Sequence, residues 1–259
     1  MSDAITLSHE GPASIVTLTQ PPFNLLDIQT IDRLVALHQE ADAHPGSHVI
    51  VTRSGLEGMF CNGLNPLTVL DADREGRVAI FEAVARLAAG LYRLKKNHIA
   101  VLNGPAMAGG AVLAILADFR YMDSERGVIC FAEAKVGVPV PEGLVAVIAS
   151  VCQPAALREV VMLGKKYEPQ DALAIGLVDG IAPASELDAL VNKQVARLSR
   201  LSLDVLKACK ASIRAAVLPN ASNALAISSG KAFLDFVGDD YLGEGLKAFM
   251  EGRQPVFTK

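Results

Sequence analysis

Three short β-rich runs, each handing the chain on to an apolar segment of helical periodicity, leave few folds open to this sequence. They are Ile15-Val16-Thr17-Leu18-Thr19, His48-Val49-Ile50-Val51-Thr52 and Ile99-Ala100-Val101-Leu102. Branched side chains favour a pleated backbone, and Gly11-Pro12 and Pro21-Pro22 bound the first run. After it, Asp27 stands as a helix N-cap, and Ile28, Ile31, Leu34, Val35 and Leu37 recur at helical spacing until Pro45-Gly46. After the second, Val78, Ile80, Phe81, Val84, Leu87, Leu91 and Leu94 mark one face of a longer helix. The third runs into Asn103-Gly104-Pro105, and Gly109-Gly110 opens an apolar helix through Leu116. This alternation predicts α/β architecture, a sheet covered by helices.

Beyond Pro154 the strand signal fades. Helical segments are predicted at Ala155–Leu163, Pro169–Ala174, Ser185–Leu201, Leu203–Val217 and Leu225–Phe236, with no linker or repeat among them. Such a tail packs on its own core or on a neighbouring subunit. With 259 residues, 51% hydrophobic and 20% charged, the chain can bury a large core, which excludes disordered, collagenous and disulfide-stapled classes. No charge-free run is long enough to cross a bilayer. The net charge of -4 comes from interspersed acids and bases, Trp is absent and aromatics make up 5%, so no basic stripe and few stacking platforms exist for nucleic acid. The four cysteines lack CxxC spacing and the first ten residues lack a secretory pattern, so a reducing cytoplasm is expected. His44 and His48 flank a turn without a third ligand of matching spacing, and no metal is expected.

Two glycine-containing loops follow predicted strands, where open α/β sheets bind ligands. They are Phe60-Cys61-Asn62-Gly63-Leu64-Asn65 and Ala106-Met107-Ala108-Gly109-Gly110-Ala111. Glycine lets backbone approach a ligand, and a helix beginning at Gly109 turns free N–H groups outward; together the loops make a candidate oxyanion hole. The alternatives are relief of crowding between helix and sheet, and phosphate binding. Neither loop has the spacing of a dinucleotide fingerprint or a Walker lysine.

In order and spacing, these residues resemble the crotonase, or enoyl-CoA hydratase/isomerase, superfamily. The similarity runs from Thr17-Leu18-Thr19-Gln20-Pro21 and Asn24-Leu25-Leu26, through both glycine loops, to Gly176-Leu177-Val178 and the tail Gly243-Glu244-Gly245-Leu246-Lys247-Ala248-Phe249 with Arg253-Gln254-Pro255-Val256-Phe257. The resemblance implies a spiral of ββα units over residues 1–195 and a helical trimerisation region over 196–259. It implies an acyl-CoA thioester as partner, coenzyme A being part of the substrate and no separate cofactor, in a homotrimer or hexamer. It also implies that the backbone N–H groups of Leu64 and Gly109 hold the thioester oxygen, with Cys61, Asn62, Gly63 and Gly110 lining the substrate. Lys247, Arg253 and Lys259 are candidate tail cations for the coenzyme phosphates of a neighbouring subunit, a solvated surface role being the leading reading for each, and the apolar stretch Val69 to Val84 is expected to line the acyl pocket.

The departures from the family pattern bear on the reaction. Where hydratases of the family place their two glutamates, this sequence offers Val112 and Lys135. Hydration needs one group to activate water and one to protonate carbon, whereas moving a double bond needs a single base. Glu142, in Val140-Pro141-Glu142-Gly143, resembles the Pro-Glu-Gly of peroxisomal Δ3,Δ2-enoyl-CoA isomerases and is the expected base. Glu133 is the reserve, read as an ion-pair partner of Lys135 or Arg126. The leading expectation is a Δ3,Δ2-enoyl-CoA isomerase. A divergent hydratase, thioester hydrolase or lyase, and an inactive acyl-CoA-binding or partner-binding protein, stand as alternatives.

Overall fold

The computed structural model describes residues 4–218, 231–238 and 240–257. Its frame is a six-stranded sheet in the order β1-β2-β3-β4-β6-β8, formed by β1 (Ile5–Glu10), β2 (Ala13–Leu18), β3 (Val49–Ser54), β4 (Asn97–Leu102), β6 (Phe119–Asp123) and β8 (Gly180–Ala182). β1 pairs antiparallel with β2 and every other pair is parallel. A small parallel sheet of β5 (Pro105–Met107) and β7 (Val128–Cys130) stands apart. The period of two along each strand sorts side chains into two cores. Ile15, Val49, Val51, Ile99 and Val101 meet Leu187, Val191 and Val195 of the helix α8 (Ala184–Ser199). Val16, Leu18, Ile50, Ala100 and Leu102 face the main core under α1 (Ile28–Ala43), α3 (Arg74–Tyr92) and α4 (Gly109–Ile115).

The remaining helices are α2 (Pro66–Asp71), α5 (Glu142–Val151), α6 (Leu157–Val161), α7 (Pro169–Ala174), α9 (Leu203–Val217), α10 (Lys231–Gly238) and α11 (Asp240–Glu251), with a 3₁₀ turn at Glu133–Val136. Asp27 caps α1 as expected, accepting from Thr30 N–H at 2.7 Å. The apolar stretch from Val69 to Val84 is two helices, because Asp73 caps a second one by accepting from Gly76 N–H at 2.8 Å. The all-helical reading beyond Pro154 is corrected by β8, whose three residues pair with Tyr121, Met122 and Asp123. Of the predicted helix Leu225–Phe236, residues 225–230 lie outside the described residues, and the rest belongs to α10.

A buried polar chain crosses the sheet. The Leu34 carbonyl can only accept, so His38 Nδ1–H donates to it at 2.7 Å and His38 Nε2 accepts the Thr52 hydroxyl at 2.7 Å. Thr52 Oγ1 then accepts from His98 Nε2–H at 2.8 Å. The pattern requires His38 to be neutral, since its Nε2 accepts, and burial depresses His38 from 6.5 to about 4 and His98 well below its usual value. The unfolded chain therefore binds more protons than the folded one between those two values, and stability falls as pH drops through that window. Acid titration of urea-unfolding free energy is expected to show a loss of about 3 kcal/mol from His38 alone between pH ~6.5 and ~4. Thr52→Val, which breaks the chain, is expected to be destabilised already at pH ~7, as it leaves two ring nitrogens unpaired.

Candidate active site

Residues 60–65 are clamped between two backbone partners. Cys61 N–H donates to Pro105 O and Met107 N–H to Cys61 O, both at 3.0 Å, hooking the loop onto β5. On the other side Leu26 N–H donates to Gly63 O at 2.8 Å, and Asn65 N–H donates to Leu26 O at 2.9 Å. This parallel pairing turns the N–H of Leu64 away from Leu26. Gly109 heads α4, so its N–H has no carbonyl one turn behind it. No described backbone carbonyl accepts from either group. A Cβ on Gly63, whose φ is +81°, would lie 2.8 Å from Gly109 N, so the two N–H groups belong to touching loops.

Two residues hold this geometry. Ala108, just before Gly109, adopts φ 45°, ψ -116°, a conformation that costs a residue with a side chain about 1–3 kcal/mol. Asn24, buried and at φ 48°, donates to Phe60 O and Ser54 Oγ at 2.8 Å each, accepts Gln20 N–H at 2.7 Å, and accepts the Cys61 thiol at its carbonyl. Its part in fixing the first loop is not visible in the sequence, where Asn reads as a turn former. Cys61 is sealed beneath the loop with its thiol pushed up to about 12 by burial, and so is not a nucleophile.

The loops open into a cavity of about 330 Å³. Its wall is apolar, with Val69, Phe81, Val84, Ala88, Val112 and Leu144 on one part and Phe233, Leu242, Leu246, Phe249 and Met250 as a roof. Asn62, Asn65, Leu64 and Gly109 also line it, whereas Gly110 packs behind them. Among the described lining residues Glu133 alone carries an ionisable side chain.

Glu133 begins the 3₁₀ turn that follows β7 and Phe131. Its Oε2 is shut off from solvent and has no hydrogen-bond partner among the described residues. Burial raises its carboxyl to about 7, against the opposing effect of its own backbone N–H. The expected ion pair is corrected: Arg126 bonds Glu57 at 2.9 Å, and Lys135 is exposed. Glu142 lies exposed on the first turn of α5; its neighbours Pro141 and Leu144 line the cavity and Glu142 itself does not. A carboxylate just after a strand inside an apolar run is the one sequence signal that marks Glu133. Arg253, named as a candidate for coenzyme phosphates, is engaged by Glu244 and Glu251, and Lys259 lies outside the described residues. Among the described residues, no three His, Cys, Asp or Glu side chains are grouped to hold a metal, and no helix is long and apolar enough to cross a membrane.

The sequence pattern of the enoyl-CoA hydratase/isomerase family matches residues 10–259. The chain belongs to that family. One family relative, Enoyl-CoA delta isomerase 3 of Arabidopsis thaliana, is 30% identical over 68% of this chain and 76% of its own. Carnitinyl-CoA dehydratase of Salmonella enteritidis is 29% identical over 99% of both. The crystal structure of human mitochondrial delta3-delta2-enoyl-CoA isomerase superposes with a TM-score of 0.90 at 20% identity, covering 96% of this chain and 98% of that one. The crotonase-type α/β fold expected from the motifs is the fold observed.

In this family member the two loops meet with no room for a side chain, since a Cβ on Gly110 would lie 2.0 Å from Cys61 O. Gly110→Ala is expected to cost about 2–3 kcal/mol by overpacking, read in a thermal melt as a fall of roughly 5–10 °C. An unchanged melting temperature would show that the loops are not packed as described.

Proposed function

We propose that the protein is a Δ3,Δ2-enoyl-CoA isomerase in which Glu133 is the single base. The observation that carries this reading is that Glu133 is, among the described residues, the one ionisable side chain lining a cavity that Leu64 and Gly109 also line, whose N–H groups donate to no described backbone carbonyl. Glu133 takes a proton from C2 of the 3-enoyl thioester. The electron pair spreads over C2 to C4 and the thioester oxygen, which accepts from the N–H groups of Leu64 and Gly109. Glu133 then returns the proton at C4, the double bond now lies between C2 and C3, and no water or redox partner is consumed. Donors preorganised toward the developing oxyanion are each worth about 3 kcal/mol of barrier. A carboxyl raised to about 7 is matched to accepting and returning a proton near neutral pH.

Glu133 takes the role the motifs suggested for Glu142 because a base must reach the substrate, and Glu142 is exposed outside the cavity wall. Val112, where hydratases of the family carry a glutamate, is buried in that wall and transfers no proton. Similarity to the dehydratase over the full chain keeps reversible hydration as the second reading.

A product assay with trans-3-hexenoyl-CoA separates the two. Isomerisation yields the 2-enoyl thioester, and hydration yields a 3-hydroxyacyl thioester. Glu133→Gln is expected to lower kcat by about 10²–10⁴ with KM little changed, and Glu142→Gln to stay within about threefold. The opposite pattern would return the role to Glu142. In the parent, kcat is expected to rise with pH up to about 7, because only the ionised carboxylate accepts a proton.

We also propose a homotrimer or hexamer. Val205 and Ile213 on α9 are 60% and 65% exposed, a large apolar display for one helix. A stable monomer in light scattering would reject this assembly.

A further inference from the structure

The segment from Gly243 to Phe257 has no part in the proton transfer, yet it is built against the turn that carries Glu133. α11 meets this turn backbone to backbone: a Cβ on Gly245 would lie 2.5 Å from the Cα, C and O of Val136. One residue past the turn, Gly137 sits at φ +80°, where a Cβ would lie 2.7 Å from Tyr241 O. Behind the helix the tail folds back and is fastened. Both carboxylate oxygens of Glu244 accept from Arg253, at 2.5 and 3.0 Å, and one also accepts from Val256 N–H at 2.8 Å. Phe257 stands edge-on to Tyr241 with centroids 5.8 Å apart.

The turn is held at its ends by Phe131 in the main core and by Val138 in the small one, although none of its own four residues is wholly buried. α11 joins it in that small core, in which Leu242 packs with Val69, Ile80, Val138 and Val237. The same helix supplies Leu242, Leu246, Phe249 and Met250 to the cavity roof. The base and the roof therefore share one support.

We propose that α11 is a positioning element for Glu133, with Gly245 as the positioning residue that sets how deeply the base-bearing turn sits in the cavity wall. This rests on Glu133 being the base. A side chain at position 245 pushes helix and turn apart by the width of a methyl group, and water then reaches Glu133 Oε2. The charged groups of the two packed elements do not compensate. Lys135, Asp240 and Lys247 are exposed, while Glu244 and Glu251 are engaged by Arg253.

The test is a titration of Glu133 in the full chain by ¹³C NMR with glutamate carboxyl labelling, the signal being assigned by its loss in Glu133→Gln. In Gly245→Ala the midpoint is expected to fall from near 7 by about one unit or more toward the ordinary carboxylate range. On trans-3-hexenoyl-CoA the same variant is expected to lose about tenfold or more in kcat, with its acid limb moved down and KM within about threefold. Arg253→Ala, which unfastens the tail on the surface, should move the midpoint in the same direction by less. A folded Gly245→Ala whose Glu133 midpoint and acid limb match the parent overturns the proposal. If Gly245→Ala does not fold, an unmoved midpoint in Arg253→Ala overturns it. A parent that turns over no 3-enoyl thioester defeats the isomerase reading instead, and the titration still decides whether α11 positions the turn.

Discussion

The candidate site depends on a contact from which side chains are excluded. The carbonyl of Cys61 occupies the place any Cβ at Gly110 would take, so the loop after β3 and the start of α4 move as one body. α4 is itself buried at every residue, wedged in the main core, and cannot drift. The direction of the Gly109 N–H thus follows from close packing, and that of Leu64 from the parallel pairing with Leu26. Because both donors are backbone, their placement is a property of the fold and is independent of which side chain stands at position 64.

In the proposed mechanism burial serves both halves of the chemistry. An apolar wall withholds water from the Glu133 carboxylate and makes it more basic, and the same dry surroundings strengthen hydrogen bonds to a developing oxyanion. In the proposed mechanism a substrate proton offsets the cost of the unpaired buried Oε2.

The strands at 15–18, 49–52 and 99–102 are legible because branched residues alternate between two apolar cores, a pattern carried within each segment. β1 escapes notice since most of it faces solvent at the sheet edge. β6 hides behind Arg120, a buried cation satisfied by the carbonyls of Ala117 and Leu177 and by Asp179, partners that only the fold brings together. The two glycine loops are readable from local composition. Glu133 shows in the sequence only as a reserve base, because the cavity it lines is closed by residues of a helix more than a hundred positions later in the chain. Read locally, it is one acid beside a lysine.

The small core beneath the roof is separate from the two that hold the sheet. Changes to α10 and to the cavity-facing side of α11 therefore leave the sheet and the N–H groups of Leu64 and Gly109 intact. Because α11 also packs against the turn of Glu133, the shape of the chamber and the setting of that carboxylate are inherited together.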